Sequence, residues 1–184
     1  MFALRIAPVL LFTAFAAACT ALPAGRDADF PHAAFGLSGR VAVRYGSEGA
    51  SGRFVWRHSA AADDLLISSP LGQGIAKLTR RHREFELVTS DDKTHRAADA
   101  ESLTQEVLGW SLPLSGLPDW VQGRADPARP AELLRDAIGR TAELRQDHWR
   151  IEYQEYEGNR PSKLRLSRDD LEIRLVVDEW VVAQ

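Results

Sequence analysis

Residues Leu65–Leu78, with the sequence LLISSPLGQGIAKL, contain the clearest indication of the fold. An apolar run leads into Pro70, Gly72 and Gly74, and an alternating apolar–polar pattern leads out. Proline cannot donate a hydrogen bond to a strand ladder, and glycine readily takes the positive φ that tight turns require. The stretch therefore predicts two antiparallel strands joined by a tight turn.

The tip of this turn carries an aliphatic residue, Leu71, where turns normally expose polar side chains. Two interpretations stay open. Leu71 folds back onto the core or is an ordinary isolated apolar surface residue, or it is kept free to enter an apolar environment. Burying one leucine gains roughly 1.5–3 kcal/mol, which biases the docking of a protein already tethered to a bilayer but does not hold an untethered one there.

The only long apolar run of the 184-residue chain, Ile6 to Ala18, lies at its N-terminus. Arg5 precedes the run, and three alanines close it immediately before Cys19. The run is too short to span a bilayer comfortably. Residues 1–18 are therefore predicted to be a secretory signal peptide.

Cys19 is the only cysteine, which excludes an intramolecular disulfide. The segment around it resembles a bacterial lipobox, which implies a covalent lipid on Cys19 and an anchored mature N-terminus. An ordinary signal peptide followed by an unmodified cysteine is the alternative. In bacterial lipoproteins, an aspartate directly after the cysteine favours retention in the inner membrane. This chain has Thr20 at that position, so the resemblance implies the outer membrane. Residues 19–36 are predicted to be the lipidated N-terminus and tether, and residues 37–184 a single domain.

The charge balance excludes a nucleic-acid partner. The chain carries a formal charge of −3, and loss of Arg5 with the signal peptide makes it −4, with both signs interspersed. One short basic cluster, Arg80–Arg83, is interpreted as a solvated strand end. Arg40, Arg44 and Arg57 share a solvated strand face and are candidates for contact with a protein partner.

Most of the mature chain has the two-residue period of half-buried strands. Strands are predicted where apolar and polar residues alternate: 37–45, 53–58, 84–87, 149–154, 163–166 and 171–177. Turn-rich breaks are predicted at 46–52, 91–92 and 158–161. A change of phase at Asp178–Glu179 predicts a β-bulge that turns Trp180 inward.

Two short helices are predicted in the middle of the chain. Asp99 is a candidate N-cap for a helix with apolar residues at 103, 107 and 110 and Gly109 near its end. A second helix is predicted from Ser115 to Gly123. Segment 131–138 fits either a helix or a hairpin. The order of strands, helices and strands predicts an α+β fold, a curved antiparallel sheet whose concave side the short helices cover.

The sequence lacks the common motifs of enzyme active sites. The five histidines have no metal-ligand spacing, and the sequence contains neither a G-x-S-x-G elbow nor a phosphate-binding loop. The acidic pairs Asp91–Asp92 and Asp169–Asp170 fall in predicted turns. The sequence therefore predicts a non-enzymatic protein without catalytic residues, metal or cofactor, apart from the lipid on Cys19.

Five tryptophans are many for a chain of this length. Core packing explains most of them. However, a single curved sheet covered by two short helices need not fill its own concave side. Tryptophans and aliphatic residues around such a gap predict an apolar cavity suited to acyl chains.

Several motifs in their order resemble the LolB family of outer-membrane lipoproteins. They are Leu37–Tyr45, Phe54–Trp56, Ser69–Gly72, Leu117–Gly123, Trp149–Tyr153 and Asp178–Val182. The resemblance implies an unclosed β-barrel, monomeric and anchored on the periplasmic face of the outer membrane. It implies that residues 37–184 are a lipoprotein-binding domain. The cavity of this domain would take the acyl chains of lipoproteins that the periplasmic carrier LolA delivers, for insertion into that membrane.

The resemblance also implies roles for particular residues. Trp56, Trp120, Trp149 and Trp180 would surround the acyl cavity, and Pro70-Leu71-Gly72 would form the membrane-insertion loop. Without a nucleotide site, transfer would follow from a higher affinity for acyl chains than the donor has. Two alternatives remain: a scaffolding lipoprotein with a filled core that binds another envelope protein, and a periplasmic hydrolase, for which the sequence supplies no polar site.

Overall fold

The computed structural model describes residues 34–181. The predicted signal peptide, Cys19, most of the tether and Val182 lie outside that range. The described residues form eleven strands and two helices: β1 Phe35–Tyr45, β2 Glu48–His58, β3 Ala62–Ser68, β4 Gly74–Arg81, β5 Glu84–Thr89, β6 Thr94–Ala97, α1 Ala100–Leu108, α2 Leu117–Trp120, β7 Glu132–Arg135, β8 Thr141–Gln146, β9 Trp149–Glu157, β10 Arg160–Arg168 and β11 Leu171–Val181. β1 thus begins within the segment predicted as tether.

All eleven strands belong to one antiparallel sheet in the order β6-β5-β4-β3-β2-β1-β11-β10-β9-β8-β7. The first and last strands meet in the middle, where β1 pairs with β11. Within residues 34–181, β6 and β7 each have a partner on one side only, so the sheet is unclosed. The chain leaves one edge at β6, forms the two helices, and re-enters at the other edge as β7. The predicted α+β architecture is confirmed.

The predicted alternation decides which side chains enter the core. On β11, the odd-numbered residues Leu171 to Val177 are buried, whereas Glu172 and Arg174 point to the outer face. The predicted bulge is present, because Ser38 pairs with Glu179 and Gly39 pairs with Val177. Asp178 is therefore the extra residue, and Trp180 lies opposite the buried Leu37.

Two predicted breaks are shorter than expected. The break predicted at 46–52 is too long, because only Gly46 and Ser47 form the turn and β2 already begins at Glu48. Residues 48–51 are exposed, so no apolar alternation marks them, and their pairing with β1 holds them in the sheet. Likewise, the turn predicted at 158–161 contains only residues 158–159, and β10 begins at Arg160.

Helix α1 begins and ends where its capping residues predict. The Asp99 carboxylate accepts hydrogen bonds from the backbone N–H groups of Glu101 and Ser102, and Gly109 ends α1 with φ of 81°. The predicted second helix was too long, because α2 spans only Leu117–Trp120. The open segment 131–138 resolves as a hairpin between β7 and β8, with Gly139 at φ of 88° in its turn.

Candidate functional site

The β3–β4 turn holds Leu71 away from the protein. Hydrogen bonds close the turn on itself: Ser69 N–H to the Gln73 carbonyl at 2.7 Å, and Gly72 N–H to the Ser69 carbonyl at 2.9 Å. Gly72 takes φ of 88°, which favours glycine. Leu71 is 92% exposed. The interpretation in which Leu71 folds back onto the core is therefore wrong.

An apolar crevice lies between the inner face of the sheet and the segment that joins the two helices. Each of its lining side chains is apolar, and they come from five strands and residues 110–121: Leu37, Val41, Phe54, Trp56, Leu65, Ile67, Trp110, Leu112, Leu114, Leu117, Val121, Leu166, Ile173 and Leu175. Strands β1, β2, β3, β10 and β11 can line one crevice only because the sheet curves around it. The free volume is about 40 Å³, room for a few water molecules.

A wider groove continues from this crevice to the surface. It measures about 170 Å³ and shares Val41, Ile67 and Trp110 with the crevice. Ile67 and Ile75 also line the groove, and these residues flank the turn that carries Leu71. The apolar interior thus opens at the end of the sheet from which Leu71 projects.

Residues 110–114 form a cover over the crevice, and the cover is attached to α1. Leu112 donates its backbone N–H to the Thr104 hydroxyl at 2.8 Å, and the Ser111 hydroxyl donates to the Gln105 side chain at 3.1 Å. The cover faces the crevice with three apolar side chains, those of Trp110, Leu112 and Leu114. Moving the cover as a unit with α1 therefore keeps both of these bonds and breaks one partly exposed ion pair, between Glu101 of α1 and Arg168 of β10 at 2.9 Å.

The four tryptophans implied as cavity residues occupy different places. Trp56 lines the crevice. Trp120 and Trp149 are each 1% exposed and pack against each other with ring centroids 6.3 Å apart, outside the lining of the crevice. Trp180 packs on Phe35 at 5.7 Å and also lies outside that lining.

Sequence reasoning missed Trp110, which lines both the crevice and the groove. Its helical spacing from Leu103 and Val107 suggested the buried face of α1. The signal that was available is Gly109, because a helix that ends at a left-handed glycine frees the next residue from the helix face.

A buried carboxylate fixes the position of Trp56. Asp63 is 1% exposed and accepts the Trp56 indole N–H at 2.9 Å. His58 Nδ1 lies 2.7 Å from the same oxygen, and the Arg80 guanidinium bonds the other. The prediction of a solvated strand end fits the exposed Arg81–Arg83 and is wrong for Arg80, whose charge compensates a buried carboxylate.

The described residues 34–181 contain no group of three or more His, Cys, Asp or Glu side chains that could hold a metal ion. The acidic pairs lie in turns, where Asp92 and Asp169 take φ of 60° and 54°. Neither helix among the described residues has the length and the apolar character that a membrane span requires. What the arrangement offers chemically is an apolar interior beside an exposed leucine.

Comparison with known proteins agrees with these features. The family model described as outer membrane lipoprotein LolB matches residues 33–180. Outer-membrane lipoprotein LolB of Thiobacillus denitrificans is 42% identical over 148 residues, covering 80% of each chain. Its counterpart in Nitrosomonas europaea is 41% identical over 164 residues, covering 86% of this chain and 77% of the relative.

Solved structures share the fold without close sequence similarity. A LolA superfamily protein from Nitrosomonas europaea superposes with a TM-score of 0.50 at 9% identity, covering 84% of this chain and 88% of that one. A DUF1329 family protein from Desulfovibrio piger gives 0.52 at 8% identity, with the same coverage. The unclosed antiparallel sheet is thus an architecture found among LolA-like proteins.

The family match decides several of the predictions. It confirms that the protein is not an enzyme and that its place is the outer membrane, where it takes part in lipoprotein localisation. By the extent of the family match and the identity to these relatives, the chain belongs to the LolB family of outer-membrane lipoproteins.

Proposed function

We propose that this protein is a receptor that accepts lipoproteins from the periplasmic carrier LolA and inserts them into the outer membrane. Their acyl chains enter the groove beside Leu71 and pass beneath the cover at residues 110–114. The single observation that carries this proposal is the continuity between an exposed leucine, an apolar groove and an apolar crevice.

Acyl chains enter only if the cover moves, because the crevice holds about 40 Å³. Opening exposes Trp110, Leu112 and Leu114, which costs free energy. Each methylene of an acyl chain that replaces them on the crevice wall returns about 0.8 kcal/mol. The closed crevice is then the empty state of the receptor, and ligand binding shifts the population toward the open one.

Transfer needs no energy source if each step runs toward higher affinity. The receptor binds acyl chains more tightly than the carrier does, and the bilayer accepts them from the receptor. The lipid on Cys19 keeps the protein at the membrane, while Leu71 enters the bilayer and brings the mouth of the groove against it. The gain of roughly 1.5–3 kcal/mol from one leucine suits a contact that forms and breaks repeatedly.

The test places a charge in the groove without burying it in the core. Ala50 lines the groove and is exposed. Ala50→Glu is expected to reduce binding of a fluorescent fatty-acid probe at least about tenfold, since acyl chains then pass a carboxylate. The matched control is Ala60→Glu, the same change at an exposed residue at the opposite end of the sheet. Equal binding by both variants would contradict the proposed route.

A second variant tests delivery. Leu71→Glu changes a side chain that is almost fully exposed, so the free energy of unfolding should change by less than about 0.5 kcal/mol. Acceptance of a lipoprotein from the carrier should persist, whereas insertion into outer-membrane vesicles should fall several-fold. Normal insertion by this variant would remove Leu71 from the mechanism.

The nearly closed crevice also fits the scaffolding alternative, in which the core is simply filled and the sheet binds another envelope protein. The probe experiment separates the two functions. A purified protein that binds no fatty-acid probe at any concentration below probe aggregation is a scaffold.

A further inference from the structure

The outer face of the sheet carries a basic pocket at the same end as Leu71. It measures about 440 Å³, and its wall includes the charged side chains of Arg40, Arg53, Lys163 and Arg174. Pro70, the residue before Leu71, forms another part of the wall. No acidic residue lines the pocket. Its electrostatic character therefore differs from that of the apolar groove on the inner face.

Strand register places two of these arginines side by side. Arg53 of β2 is directly opposite Arg40 of β1, and Arg40 is opposite Val176, which is opposite Lys163 of β10. Residues directly opposite in an antiparallel pair lie roughly 5 Å apart, and like charges in that position destabilise the sheet. A bound anion would offset that repulsion.

Carboxylates pair with three of the four basic side chains of the pocket and leave the charge of Arg53 uncompensated. Arg40 pairs with Asp178 at 2.8 Å, Lys163 with Glu155 at 2.8 Å, and Arg174 with Glu172 at 2.7 Å. Those three carboxylates lie outside the pocket wall. Arg53 is exposed and has no ion-pair partner among residues 34–181. Its guanidinium is thus available for an anionic ligand.

We propose that this pocket binds the phosphate of an anionic phospholipid headgroup in the membrane that Leu71 enters. Guanidinium groups bind phosphate oxygens through two parallel hydrogen bonds, which suits adjacent arginines. The inference rests on the proposed role of Leu71, because insertion of that residue brings Pro70 and the pocket wall to headgroup level. The adjacency of Pro70 favours a membrane lipid over a protein carrier as the occupant.

The pocket gives the receptor an orientation that one leucine cannot give. Val41 and Gly52 belong to the lining of both the basic pocket and the apolar groove, so only the thickness of the sheet separates the two. A headgroup held on the outer face and Leu71 inserted beside it fix two points of the protein on the bilayer. The mouth of the groove then faces the same bilayer that receives the acyl chains.

The experiment measures vesicle binding by the full mature chain with Cys19→Ser, so that no lipid anchor masks weaker contacts. Vesicles of phosphatidylethanolamine alone are compared with vesicles that also contain phosphatidylglycerol. The test variant is Arg53→Glu. The matched control is Arg83→Glu, the same change at an exposed residue in the β4–β5 turn, at the opposite end of the sheet. Circular dichroism checks that both variants fold.

Arg53→Glu is expected to lower binding to phosphatidylglycerol vesicles at least about fivefold, the effect of one basic residue near an anionic surface. The loss should disappear at high salt, and Arg83→Glu should bind normally. Equal binding by the two variants overturns the proposal. So does an Arg53→Glu variant that binds vesicles normally but accepts lipoprotein poorly from the carrier, because the pocket then contacts the carrier.

Leu71→Glu in the same assay separates this inference from the proposed function. It should weaken binding to both kinds of vesicle at all salt concentrations. If Leu71→Glu binds normally while Arg53→Glu does not, the headgroup site stands and the insertion role of Leu71 fails. If only Leu71→Glu loses binding, insertion stands and the headgroup site fails.

Discussion

The interior of the sheet has two halves that differ in how they are held together. Around Trp120 and Trp149 the packing is dense and includes buried hydrogen bonds: the Trp120 indole donates to Gln146 at 2.8 Å, and the Tyr153 hydroxyl donates to the Trp120 carbonyl at 2.9 Å. Around Trp110, apolar side chains meet across a crevice with no polar lining. The first half cannot open without orphaning buried polar groups, which is costly. The second half opens at the cost of apolar exposure and of one partly exposed ion pair, between Glu101 of α1 and Arg168 of β10.

The two halves differ in their hydrogen bonds, and this difference determines which part of the curved sheet can move. Gln146 ties α2 to β8 and also bonds the backbone of Asp126 and Arg129. The cover at residues 110–114 has its side-chain hydrogen bonds to α1. A ligand that supplies apolar surface can replace the cover, whereas no acyl chain can replace the bonds of Gln146.

The largest expected effect is a loss of stability in the dense half. Trp120→Ala should lower the free energy of unfolding by about 3–5 kcal/mol, because it leaves a cavity and removes a donor to Gln146. Trp110→Ala, at a half-buried residue of the crevice, should cost about 1 kcal/mol and should leave the acyl probe bound. Urea unfolding of both variants measures the contrast. Similar losses for the two would erase the distinction between the halves.

A smaller effect sharpens the same contrast through pH. Burial raises the pKa of the Tyr153 hydroxyl well above its ordinary value. The unfolded chain releases this proton near pH 10 and the folded chain does not, so the contribution of Tyr153 is present below about pH 10 and is lost as pH rises above it. Tyr153→Phe should cost about 1 kcal/mol at neutral pH and reduce the fall in stability at alkaline pH. An unchanged alkaline slope in this variant would mean that Tyr153 is not the group responsible.

A further effect of about the same size concerns the helix that carries the cover. Hydrogen bonds from Ser102 hold the pKa of Asp99 below its ordinary value, against the opposing effect of burial. Its stabilising contribution is therefore present above the unfolded pKa of about 4 and is lost as pH falls through the lower folded value. Asp99→Ala should lower the free energy of unfolding by about 1 kcal/mol. Asp99→Asn, which retains a capping oxygen, should lose less, and equal losses would count against the cap.

Local signals predicted much of the fold. The Pro70–Gly72 turn, the bulge at Asp178 and the caps of α1 each depend on residues within a few positions of one another, and each is present. The exposed start of β2 carries no such signal, because its pairing with β1 alone keeps it in the sheet. Segment 131–138 needed the partner strand β8 to decide between helix and hairpin.

The candidate site was less predictable than the fold. Trp110 and Trp120 both have helical spacing, and what separates them is Gln146, which lies 26 residues beyond Trp120. Arg80 belongs to a basic cluster in sequence, yet it bonds a buried carboxylate 17 residues earlier. The basic pocket exists only through the register that sets Arg53 beside Arg40. Such pairings depend on the assembled sheet, and hydrophobic periodicity carries no information about them.

Entry of acyl chains beneath the cover can be measured by fluorescence quenching with a fatty acid brominated on its acyl chain. Bromine quenches tryptophan only at close range, so bound chains should quench Trp110 and Trp56 and spare Trp120 and Trp149. Trp110→Phe should therefore remove a large share of the quenching, and Trp149→Phe should leave the quenched intensity unchanged. Quenching that survives in Trp110→Phe and disappears in Trp149→Phe would place the acyl chain in the dense half and contradict the account.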